Sequence, residues 1–537
     1  MGLFLNSRAP YESYKKAVSD RYFVDKSLLL TELMPAFEKT EHYYCFTRPR
    51  RFGKTVMANM VGAFFGKTDR TDRIFDGLAV SKAEAYADHL NRHDVIYIDF
   101  SRGPKGCGNY EQYIERIESG MLEDLLAAYP DCSVSREDSV WDALQKVYER
   151  KDQKFLFVID EWDAVFHMPF ISLEDQKKYL LFLKWLLKDQ PYAEFVYMTG
   201  VLPIAKYSSG SELNMFVEYN MAASEKFSEF FGFSDKEVDR LYEIYKSGTE
   251  DAKFGREDLR RWYDGYYTAV GSRLYNPRSI VLALTDNQLR NYWTSSGPYD
   301  ELFYYIRNNI EDTKDELALM VSGERVAADI GEFAAVSMEI SSREQIYSAM
   351  VVYGLLTYDK GEVLIPNKEL MDQFNELLLT KDSLGYVYRL ARKSEQMLQA
   401  TLDGNTEVME EILQFAHDTE APILSYNSEV TLSAIVNLCY LSARNKYRIE
   451  REDRAGKGFA DFVFYPERKD ADCIILELKI DAAPEEAIAQ IKDKNYALCF
   501  KGSLGEEKGY TGRILAVGIS YNRKTKVHSC KVEVLKA

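Results

Sequence analysis

The chain has 537 residues, 46% hydrophobic and 28% charged, which is the composition of an ordinary globular protein with three or four domains. Its net charge of −17 argues against nucleic acid as a partner of the chain as a whole. No apolar run is long enough to span a bilayer and the N-terminus lacks an export signal, so no membrane partner is expected. Seven scattered cysteines without a C-x-x-C pair predict reduced thiols in a cytoplasm and argue against a zinc ribbon.

The first informative feature is residues 48–55, Arg-Pro-Arg-Arg-Phe-Gly-Lys-Thr, which follow a predicted buried strand at 42–46 and precede apolar side chains at helical spacing. A helix that begins here directs its free backbone N–H groups at a bound phosphate. Lys54 can then reach the terminal phosphates, and the Thr55 hydroxyl can hold Mg²⁺. Arg48 stands where the usual motif has its first glycine, so the predicted phosphate loop is a modified one. The alternative is a helix that starts with Gly-Lys-Thr by chance.

An acidic strand end follows about a hundred residues later. Residues 155–159 are a continuous apolar run, which is typical of a buried parallel strand, and they lead into Asp160 and Glu161. Ligands bind at this end of the strands in open α/β sheets. We expect Asp160 to hold Mg²⁺ through water and Glu161 to polarise the attacking water. A buried strand followed by an acidic turn is the alternative, but the two motifs in this order predict a nucleotide site.

Two further strands, residues 95–100 and 194–200, fit the same sheet. In additional-strand ATPases, a polar residue at the tip of the strand beside the acidic one senses the γ-phosphate. Thr199 is the first candidate for this role and Asp99 the second, and a strand-terminal turn residue is the alternative for each.

The predicted site therefore holds ATP and Mg²⁺. Its nucleotide-binding residues are Arg50, Arg51, Phe52, Gly53, Lys54, Thr55, Val56, Asp160 and Thr199. Among these residues, Thr55 and Asp160 are the predicted metal ligands.

The middle of the chain is mostly helical in its pattern. Residues from about 227 to 323 predict a helical lid, in which Asp264, Asn276 and Arg278 have turn and capping roles as the favoured interpretation. Residues from about 342 to 367 combine an apolar helix with two strands, which indicates either a winged-helix-like module or packing between domains. Helices from about 368 to 416 lead to the tail.

The tail differs from the body in charge. Residues 431–537 contain 19 lysines and arginines against 15 acids, and residues 444–457 are locally basic. Such an asymmetry within one chain predicts that the tail meets a polyanion. A solvated charged loop is the alternative.

A second chemical site is predicted on a β-hairpin that spans residues 458–480. Folding it about Lys469 sets Val463 opposite Ile475 and Asp461 opposite Glu477, and alternation along the strand puts Lys479 on the face of Glu477.

The two acids of this hairpin predict a metal site, because charges beside a buried apolar hairpin are costly unless they are paired or bound to metal. Asp461 and Glu477 supply oxygen ligands for Mg²⁺, with Mn²⁺ as a substitute. Lys479 would position or deprotonate a water. Glu429 and Gln490, on flanking helices, are the further candidates for the catalytic set. The alternative is a salt-bridge cluster on the surface.

These motifs resemble a known family. The run F-x-R-P-R-R-F-G-K-T, the segment I-D-E-W-D, T-G-V-L and the motifs at 262–266 and 275–279 are similar to the bacterial and archaeal AAA-ATPase-like family. The C-terminal pattern G-x-A-D-F-V-F-Y-P…E-L-K…Q-I-K-x-K-x-Y looks like a PD-(D/E)XK nuclease superfamily domain. The resemblance implies that Arg48 is typical of this group, and it implies Asp461, Glu477, Lys479 and Gln490 as the nuclease motif.

The sequence thus predicts an α/β chain: a P-loop AAA+-type parallel-sheet ATPase core at 1–225, a helical lid at 226–330, an α-rich connector at 331–415 and an α/β restriction-endonuclease-like domain at 416–537. The predicted function is ATP hydrolysis coupled to a Mg²⁺-dependent DNA endonuclease or exonuclease. The first alternative is an ATP-controlled switch that binds nucleic acid without cutting it, and the second is an ATPase whose tail only packs against the core. The expected partners are ATP and, through the tail, DNA in preference to RNA. A homo-oligomer is an open alternative, since such ATP sites often lie between protomers.

Overall fold

The structure is a computed structural model, and it describes residues 2–70, 73–103, 106–204, 212–293, 310–330, 342–380, 386–418, 429–455, 457–500 and 509–536. The chain divides into two compact units. The first comprises Met1–Tyr299 and Ala327–Leu370, and the second comprises Asp300–Val326 and Met371–Ala537. Among the residues described, no helix is long and apolar enough to cross a membrane.

The strands are β1 (Tyr43–Thr47), β2 (Asp94–Asp99), β3 (Phe155–Asp160), β4 (Ala193–Gly200), β5 (Val217–Asn220), β6 (Tyr266–Tyr267), β7 (Arg273–Leu274), β8 (Val326–Ala327), β9 (Thr357–Asp359), β10 (Glu362–Leu364), β11 (Tyr447–Ala455), β12 (Gly458–Pro466), β13 (Cys473–Ile480), β14 (Ile514–Asn522) and β15 (Val527–Lys536). The helices are α1 (Arg8–Val18), α2 (Leu28–Leu33), α3 (Lys54–Phe65), α4 (Tyr86–His89), α5 (Tyr110–Ala128), α6 (Val140–Lys151), α7 (Leu173–Leu187), α8 (Asp235–Ser247), α9 (Arg256–Tyr263), α10 (Pro277–Asp286), α11 (Ile310–Val321), α12 (Arg343–Tyr353), α13 (Lys368–Thr380), α14 (Tyr386–Arg392), α15 (Ser394–Asp403), α16 (Thr406–Asp418), α17 (Glu429–Cys439) and α18 (Pro484–Asp493).

The first unit is built on a parallel five-stranded sheet with the order β2-β3-β4-β1-β5. Residues 155–159 of β3 are buried, as expected for a strand covered on both faces. Since β4 lies between β1 and β3, the carboxyl ends of all three strands meet at one edge of the sheet. The N-terminus of α3 follows β1 at this same edge.

The helices α8, α9 and α10 follow the sheet and share a separate core that includes Val238, Leu259 and Ile280. These helices lie in the region predicted as a lid. Asn276 caps α10, since its side-chain oxygen accepts from the backbone N–H groups of Arg278 and Ser279, which is the capping role favoured from the sequence. Further along the same unit, α12 precedes the antiparallel pair of β9 and β10, as the pattern predicted. Its winged-helix character stays a prediction.

The second unit contains a mixed five-stranded sheet in the order β11-β12-β13-β14-β15. Every neighbouring pair is antiparallel except β13 and β14, which are parallel. A parallel pair needs a crossover connection, and here the crossover contains α18. Ile488 and Ile491 of α18 pack in the same core as Ile475 and Ala516 of the sheet.

The predicted α/β fold, with a parallel sheet first and a C-terminal mixed-sheet domain last, is confirmed. The predicted hairpin is extended on its outer side by β11, which residues 447–455 form with three arginines and three acids. The sequence analysis gave no secondary structure to that stretch, because its alternating charges lack the apolar side chains by which a strand is recognised.

Candidate functional site

The loop between β1 and α3 is shaped by two left-handed backbone positions. Arg51 has a φ of 71° and Gly53 a φ of 87°, and glycine adopts this conformation without a steric penalty. Gly53 is the N-cap of α3 and has no side chain with which to cap it. The first backbone N–H groups of α3 are therefore open to an anion, which is the strand–loop–helix arrangement that phosphate binding requires.

Lys54 lies inside this loop, with only 4% of its surface exposed. Its ammonium group donates hydrogen bonds to the carbonyl oxygens of Arg48 at 3.0 Å and Pro49 at 3.2 Å. The centres of the Phe52 and Tyr266 rings lie 4.9 Å apart, and this contact fixes the loop to strand β6. The ammonium is thereby held at the centre of the loop, where its donors can be offered to phosphate oxygens.

Asp160, at the end of β3, is buried and meets two hydroxyl groups. Thr199 at the tip of β4 donates to one carboxylate oxygen at 2.5 Å, and the nearby Thr55 hydroxyl helps to lower the pKa of Asp160. The other oxygen, Oδ2, has no hydrogen-bond partner among the described residues. Burial raises the pKa of Asp160 to about 6. Asp99 lies opposite Asp160 in the register of the sheet, but its carboxylate accepts a hydrogen bond from the Ser101 hydroxyl. The geometry therefore favours Thr199 over Asp99 as the candidate γ-phosphate sensor.

Glu161 follows Asp160 with a φ of 52°, an uncommon conformation for a residue with a side chain. Burial raises the pKa of Glu161, while the nearby charges of Lys54 and Arg50 lower it. Glu161 lines two clefts, one of about 470 Å³ and one of about 430 Å³. Arg50 lines the second cleft, which places the Glu161 carboxylate between the loop lysine and a loop arginine.

The larger cleft, called here the loop cleft, opens beside the phosphate loop. Gly53, Lys54, Thr55 and Val56 form one end of it, and the exposed Arg278 lies on its wall. The apolar part of its lining includes Tyr22, Phe23, Val24, Phe233, Val281 and Leu282. A cavity of several hundred cubic ångströms with apolar walls and few polar groups is typical of a small-molecule site. The loop cleft can take a molecule that is anionic at one end and apolar at the other.

The hairpin of the second unit has the predicted register. Val463 pairs with Ile475, and Phe462 pairs with Leu476. The next step of this register brings Asp461 opposite Glu477, and Asp461 accepts a hydrogen bond at 2.7 Å from the backbone N–H of Leu478. The two acids are therefore brought together at the end of the hairpin, as the pairing predicted.

Gln490, on α18, connects the acids to the lysine. Its amide nitrogen donates to Glu477 at 2.9 Å, and its amide oxygen accepts from the Lys479 ammonium at 2.7 Å. The ammonium of Lys479 lies 3.7 Å from the Glu477 carboxylate. The Gln490 amide also donates to the Tyr496 hydroxyl at 3.3 Å. Four of the residues predicted for catalysis thus form one continuous polar network.

The surroundings of Glu477 indicate whether this network could bind a metal ion. Its side chain is buried, and Oε1 has no hydrogen-bond partner among the described residues. Burial and, second, the charge of Asp461 raise the pKa of Glu477 to about 8, against the opposing charge of Lys479. An unpartnered carboxylate oxygen beside a second carboxylate fits a divalent cation, for which Asp461 and Glu477 would be the ligands. A bound Mg²⁺ ion would lower the pKa of a water and offset negative charge on a phosphodiester.

Glu429 is the first residue of α17, but its side chain lies outside the described residues. Its predicted place in the catalytic set stays a prediction. In the described part of the chain, no group of three or more His, Cys, Asp or Glu residues is arranged to hold a metal ion.

Two family models match the regions that contain these residues. The family described as AAA-ATPase-like, a predicted AAA-ATPase, matches residues 11–209, and the PD-(D/E)XK nuclease superfamily matches residues 431–529. The chain joins an AAA-ATPase-like region to a PD-(D/E)XK nuclease superfamily region. The resemblance inferred from the sequence is confirmed for both regions.

A curated relative from Azotobacter chroococcum, an uncharacterized protein encoded in the vnfD 5′ region, is 25% identical over 289 residues. The match covers 52% of this chain, and the chain spans only about half, 51%, of that relative. Among solved structures, a Walker-type ATPase of Pyrococcus abyssi is 11% identical with a TM-score of 0.38, covering 65% of this chain and 94% of the other. The ORC1 protein of Aeropyrum pernix in complex with DNA is 14% identical with a TM-score of 0.26, covering 65% and 90%. TM-scores this low support no inference about the function of this chain.

Arg48, which replaces the usual first glycine of the phosphate loop in the AAA-ATPase-like region, is buried. The guanidinium is buried, donates to the carbonyl oxygens of Thr47 at 2.8 Å and Tyr219 at 2.6 Å, and lies 4.7 Å from the centre of the Phe231 ring. Burial lowers the pKa of Arg48 to about 10. Arg48 therefore attaches the start of the loop to the edge strand β5, a role that a glycine could not perform.

Arg48→Gly restores the usual loop glycine and is expected to destabilise the protein by about 2–4 kcal/mol, because it leaves a cavity and unpaired carbonyl groups. Arg48→Met keeps most of the side-chain volume without the charge and should therefore lose less stability than Arg48→Gly. Urea unfolding followed by circular dichroism measures both. If Arg48→Gly unfolds at the wild-type midpoint, the attachment to β5 contributes nothing to stability.

Asp163, in the segment I-D-E-W-D, has a role that the sequence analysis did not assign. Its carboxylate accepts from the backbone N–H groups of Val201 at 3.1 Å and Leu202 at 2.8 Å, and so fixes the turn after β4. A side chain at Gly200 would lie 2.3 Å from Trp162, so only glycine fits there. The paired motifs I-D-E-W-D and T-G-V-L thus hold β3 and β4 in place.

Glu369, in the first turn of α13, was also missed. It is buried and accepts from the Ser279 hydroxyl at 2.9 Å and from the backbone N–H groups of Tyr292 at 2.6 Å and Trp293 at 2.7 Å. Arg51 of the phosphate loop donates to the carbonyl oxygen of Tyr292. Glu369 therefore connects α10 to the segment that contacts the loop, and no local pattern marks a contact over so long a separation.

Glu369→Gln is expected to remove a pH dependence of stability. Burial raises the pKa of Glu369 from 4.5 to about 7, so the folded chain holds a proton in this range that the unfolded chain has lost. The resulting stabilisation is complete below pH 4.5 and is lost as the pH rises to about 7, by up to about 3 kcal/mol. Glutamine is neutral at every pH, so it does not contribute this pH dependence.

The free energy of unfolding in urea, measured from pH 5 to 8, tests the prediction with Glu243→Gln as the control. It should fall as the pH rises for the control, and fall less for Glu369→Gln. Equal slopes would contradict the assignment.

The basic stretch of the nuclease-like region is partly neutralised within the second unit. Arg451 forms an ion pair at 2.6 Å with Glu324, and Lys446 forms one at 2.6 Å with Glu395. Arg448 lies 4.3 Å from the centre of the Tyr465 ring. The positive charge counted in the sequence is therefore only partly available to a polyanion.

Proposed function

We propose that the chain is an ATPase coupled to a Mg²⁺-dependent nuclease of the cytoplasm that acts on DNA, with ATP binding gating or powering cleavage. ATP fits the loop cleft, with its phosphates at Lys54 and Thr55 and its base against the apolar walls. Mg²⁺ at this site fits the unpartnered oxygen of Asp160 and the hydroxyl of Thr55. Thr199 would hold Asp160 in place, and Glu161 would orient the attacking water.

The observation that carries the nuclease half of the proposal is the network of Asp461, Glu477, Lys479 and Gln490. A domain that only binds DNA has no use for two carboxylates beside a phosphate backbone, since they repel it. Asp461 and Glu477 would hold the metal ion, and Gln490 would fix both Glu477 and Lys479. The Lys479 ammonium would position a water and stabilise charge on the phosphate.

One observation favours a second candidate. The pKa of Glu477 is raised to about 8, so without metal its carboxyl group is protonated at neutral pH. A site that keeps this proton would not bind a divalent cation. The chain would then be an ATP-controlled switch that binds nucleic acid without cutting it.

The test is incubation of the wild-type chain with plasmid and with linear DNA, with Mg²⁺, Mn²⁺ or EDTA, and with or without ATP. We expect cleavage that requires the metal and changes with ATP, and release of phosphate from ATP in the same reactions. Binding of DNA without cleavage under every condition would favour the switch. Phosphate release that continues unchanged with and without DNA, together with no DNA binding, would contradict both candidates.

A further inference from the structure

Phe459 is a large apolar side chain that the nuclease-like region leaves in solvent. It lies in β12, 64% of its surface is exposed, and it precedes Asp461 by two residues. Because side chains alternate along a strand, Phe459 and Asp461 project from the same face, about 7 Å apart along the strand. The exposed ring is therefore next to the acids on which the proposed cleavage depends.

The backbone that carries this ring is fixed to the polar network. The Tyr496 hydroxyl donates to the carbonyl oxygen of Phe459 at 2.8 Å and receives a hydrogen bond from Gln490. A side chain at Gly458 would lie 2.9 Å from that hydroxyl, so the glycine makes room for Tyr496. The backbone at Phe459 is thus held by Tyr496, which is hydrogen-bonded to the same Gln490 that contacts Glu477 and Lys479.

Two exposed lysines lie close by on the chain. The backbone N–H of Lys457 donates to the carbonyl oxygen of Lys494 at 2.8 Å, which joins the start of β12 to the end of α18. Both lysine side chains are exposed. An aromatic ring beside exposed cations is the combination by which proteins bind single-stranded nucleic acid, the ring stacking on a base and the cations meeting phosphates.

We propose that Phe459 stacks on an unpaired nucleobase next to the scissile phosphate, so that the site takes single-stranded or frayed DNA in preference to intact duplex. This inference rests on the proposed nuclease function. A phosphate that lies at Asp461, Glu477 and Lys479 leaves the base of its own nucleotide, or of the next one, within reach of the ring. In an intact duplex both faces of each base are covered by its neighbours, so a stacking ring has nothing to bind except at an end or a distortion.

The test compares Phe459→Ala, Phe459→Trp and wild type in the full chain. A fluorescein-labelled single-stranded oligonucleotide and a hairpin duplex of the same composition are titrated by anisotropy, with Ca²⁺ replacing Mg²⁺ under conditions in which gels show the DNA to be intact. Phe459→Ala should bind the single strand about tenfold more weakly and the duplex within about twofold of wild type, and Phe459→Trp should retain the single-strand preference. Val534→Ala, which truncates an exposed apolar side chain on β15, is the matched control and should change neither affinity.

Cleavage rates of the same oligonucleotides with Mg²⁺ distinguish the two proposals. If wild type cuts DNA but Phe459→Ala keeps the wild-type affinity for the single strand, or weakens both substrates equally, the stacking is contradicted and the nuclease proposal stands. If wild type neither binds nor cuts either oligonucleotide, the nuclease proposal fails and this inference fails with it. Since the ring is exposed, all variants should unfold at the wild-type temperature.

Discussion

Replacing Glu477 by glutamine is expected to lower metal-dependent DNA cleavage by on the order of a thousandfold while the chain stays folded. Glutamine has nearly the same volume and can keep the hydrogen bond with Gln490, but it loses the negative charge and one of the two oxygens that would face the cation. Because Glu477 is buried with a pKa raised to about 8, the neutral amide also needs no proton for burial. Without metal, the variant should therefore be at least as stable as wild type at pH 8.

Initial rates of plasmid nicking at saturating Mg²⁺ measure the effect on cleavage, and thermal unfolding without metal measures stability. Glu485→Gln is the matched control, because Glu485 is an exposed acid in the first turn of α18, and its rate should equal that of wild type. If Glu477→Gln nicks plasmid at the rate of Glu485→Gln, Glu477 holds no catalytic metal. If instead it loses cleavage together with its folded structure, the result would contradict the stability expectation and the buried pair would be essential for folding.

Replacing Lys54 by methionine is expected to slow ATP hydrolysis by at least about a hundredfold, the scale seen when one preorganised donor to a developing charge is lost. The ammonium of Lys54 is buried at the centre of the loop and already hydrogen-bonded to two loop carbonyl oxygens. Methionine fills the same space but donates no hydrogen bond. Lys54→Arg keeps the charge, but its planar fork is too wide for the position between those carbonyls, so this variant should also be impaired.

Phosphate release and the binding of a fluorescent ATP analogue measure this prediction. Lys246→Met, in the last turn of α8, changes an exposed lysine of the same unit and should behave as wild type. Normal ATP binding by Lys54→Met would show that residues 48–55 do not hold the phosphates. Cleavage of DNA by Lys54→Met, with and without ATP, then separates an effect of nucleotide on the nuclease from cleavage that is independent of it.

Where physical constraints are local, the sequence was sufficient to predict structure. A continuous apolar run can only be a buried strand or helix, and the polar residues at its end mark the edge of the sheet, so β3 and the position of Asp160 were predictable. The register of the hairpin was predictable because the turn at residues 467–472 is short and side chains alternate on either side of it. Val463 and Ile475 therefore pair as expected.

Other features depend on contacts that no local pattern contains. The sequence of residues 48–55 does not distinguish the buried Arg48, which contacts β5, from Arg50, which lies near Glu161. The burial of Arg48 depends on the carbonyl oxygen of Tyr219, about 170 residues away. Glu369 looks like an ordinary acid in the first turn of a helix, yet its carboxylate accepts hydrogen bonds from α10 and from residues 292–293. Strand β11 carries alternating charges, and only its pairing with β12 and its ion pairs give it a structure.

The parallel pairing of β13 with β14 has a consequence for the newly made chain. The ribosome releases Asp461, Glu477 and Lys479 on consecutive strands that can form a hairpin immediately, but Gln490 takes its place only when α18 lies across the sheet. In that position Pro484 and Ala487 of α18 pack against Gly518 of β14. A chain interrupted during synthesis just before residue 514 would contain both acids, the lysine and Gln490, but not strand β14, against which α18 packs. The order of the strands thus delays assembly of the site until the last part of the protein has been made.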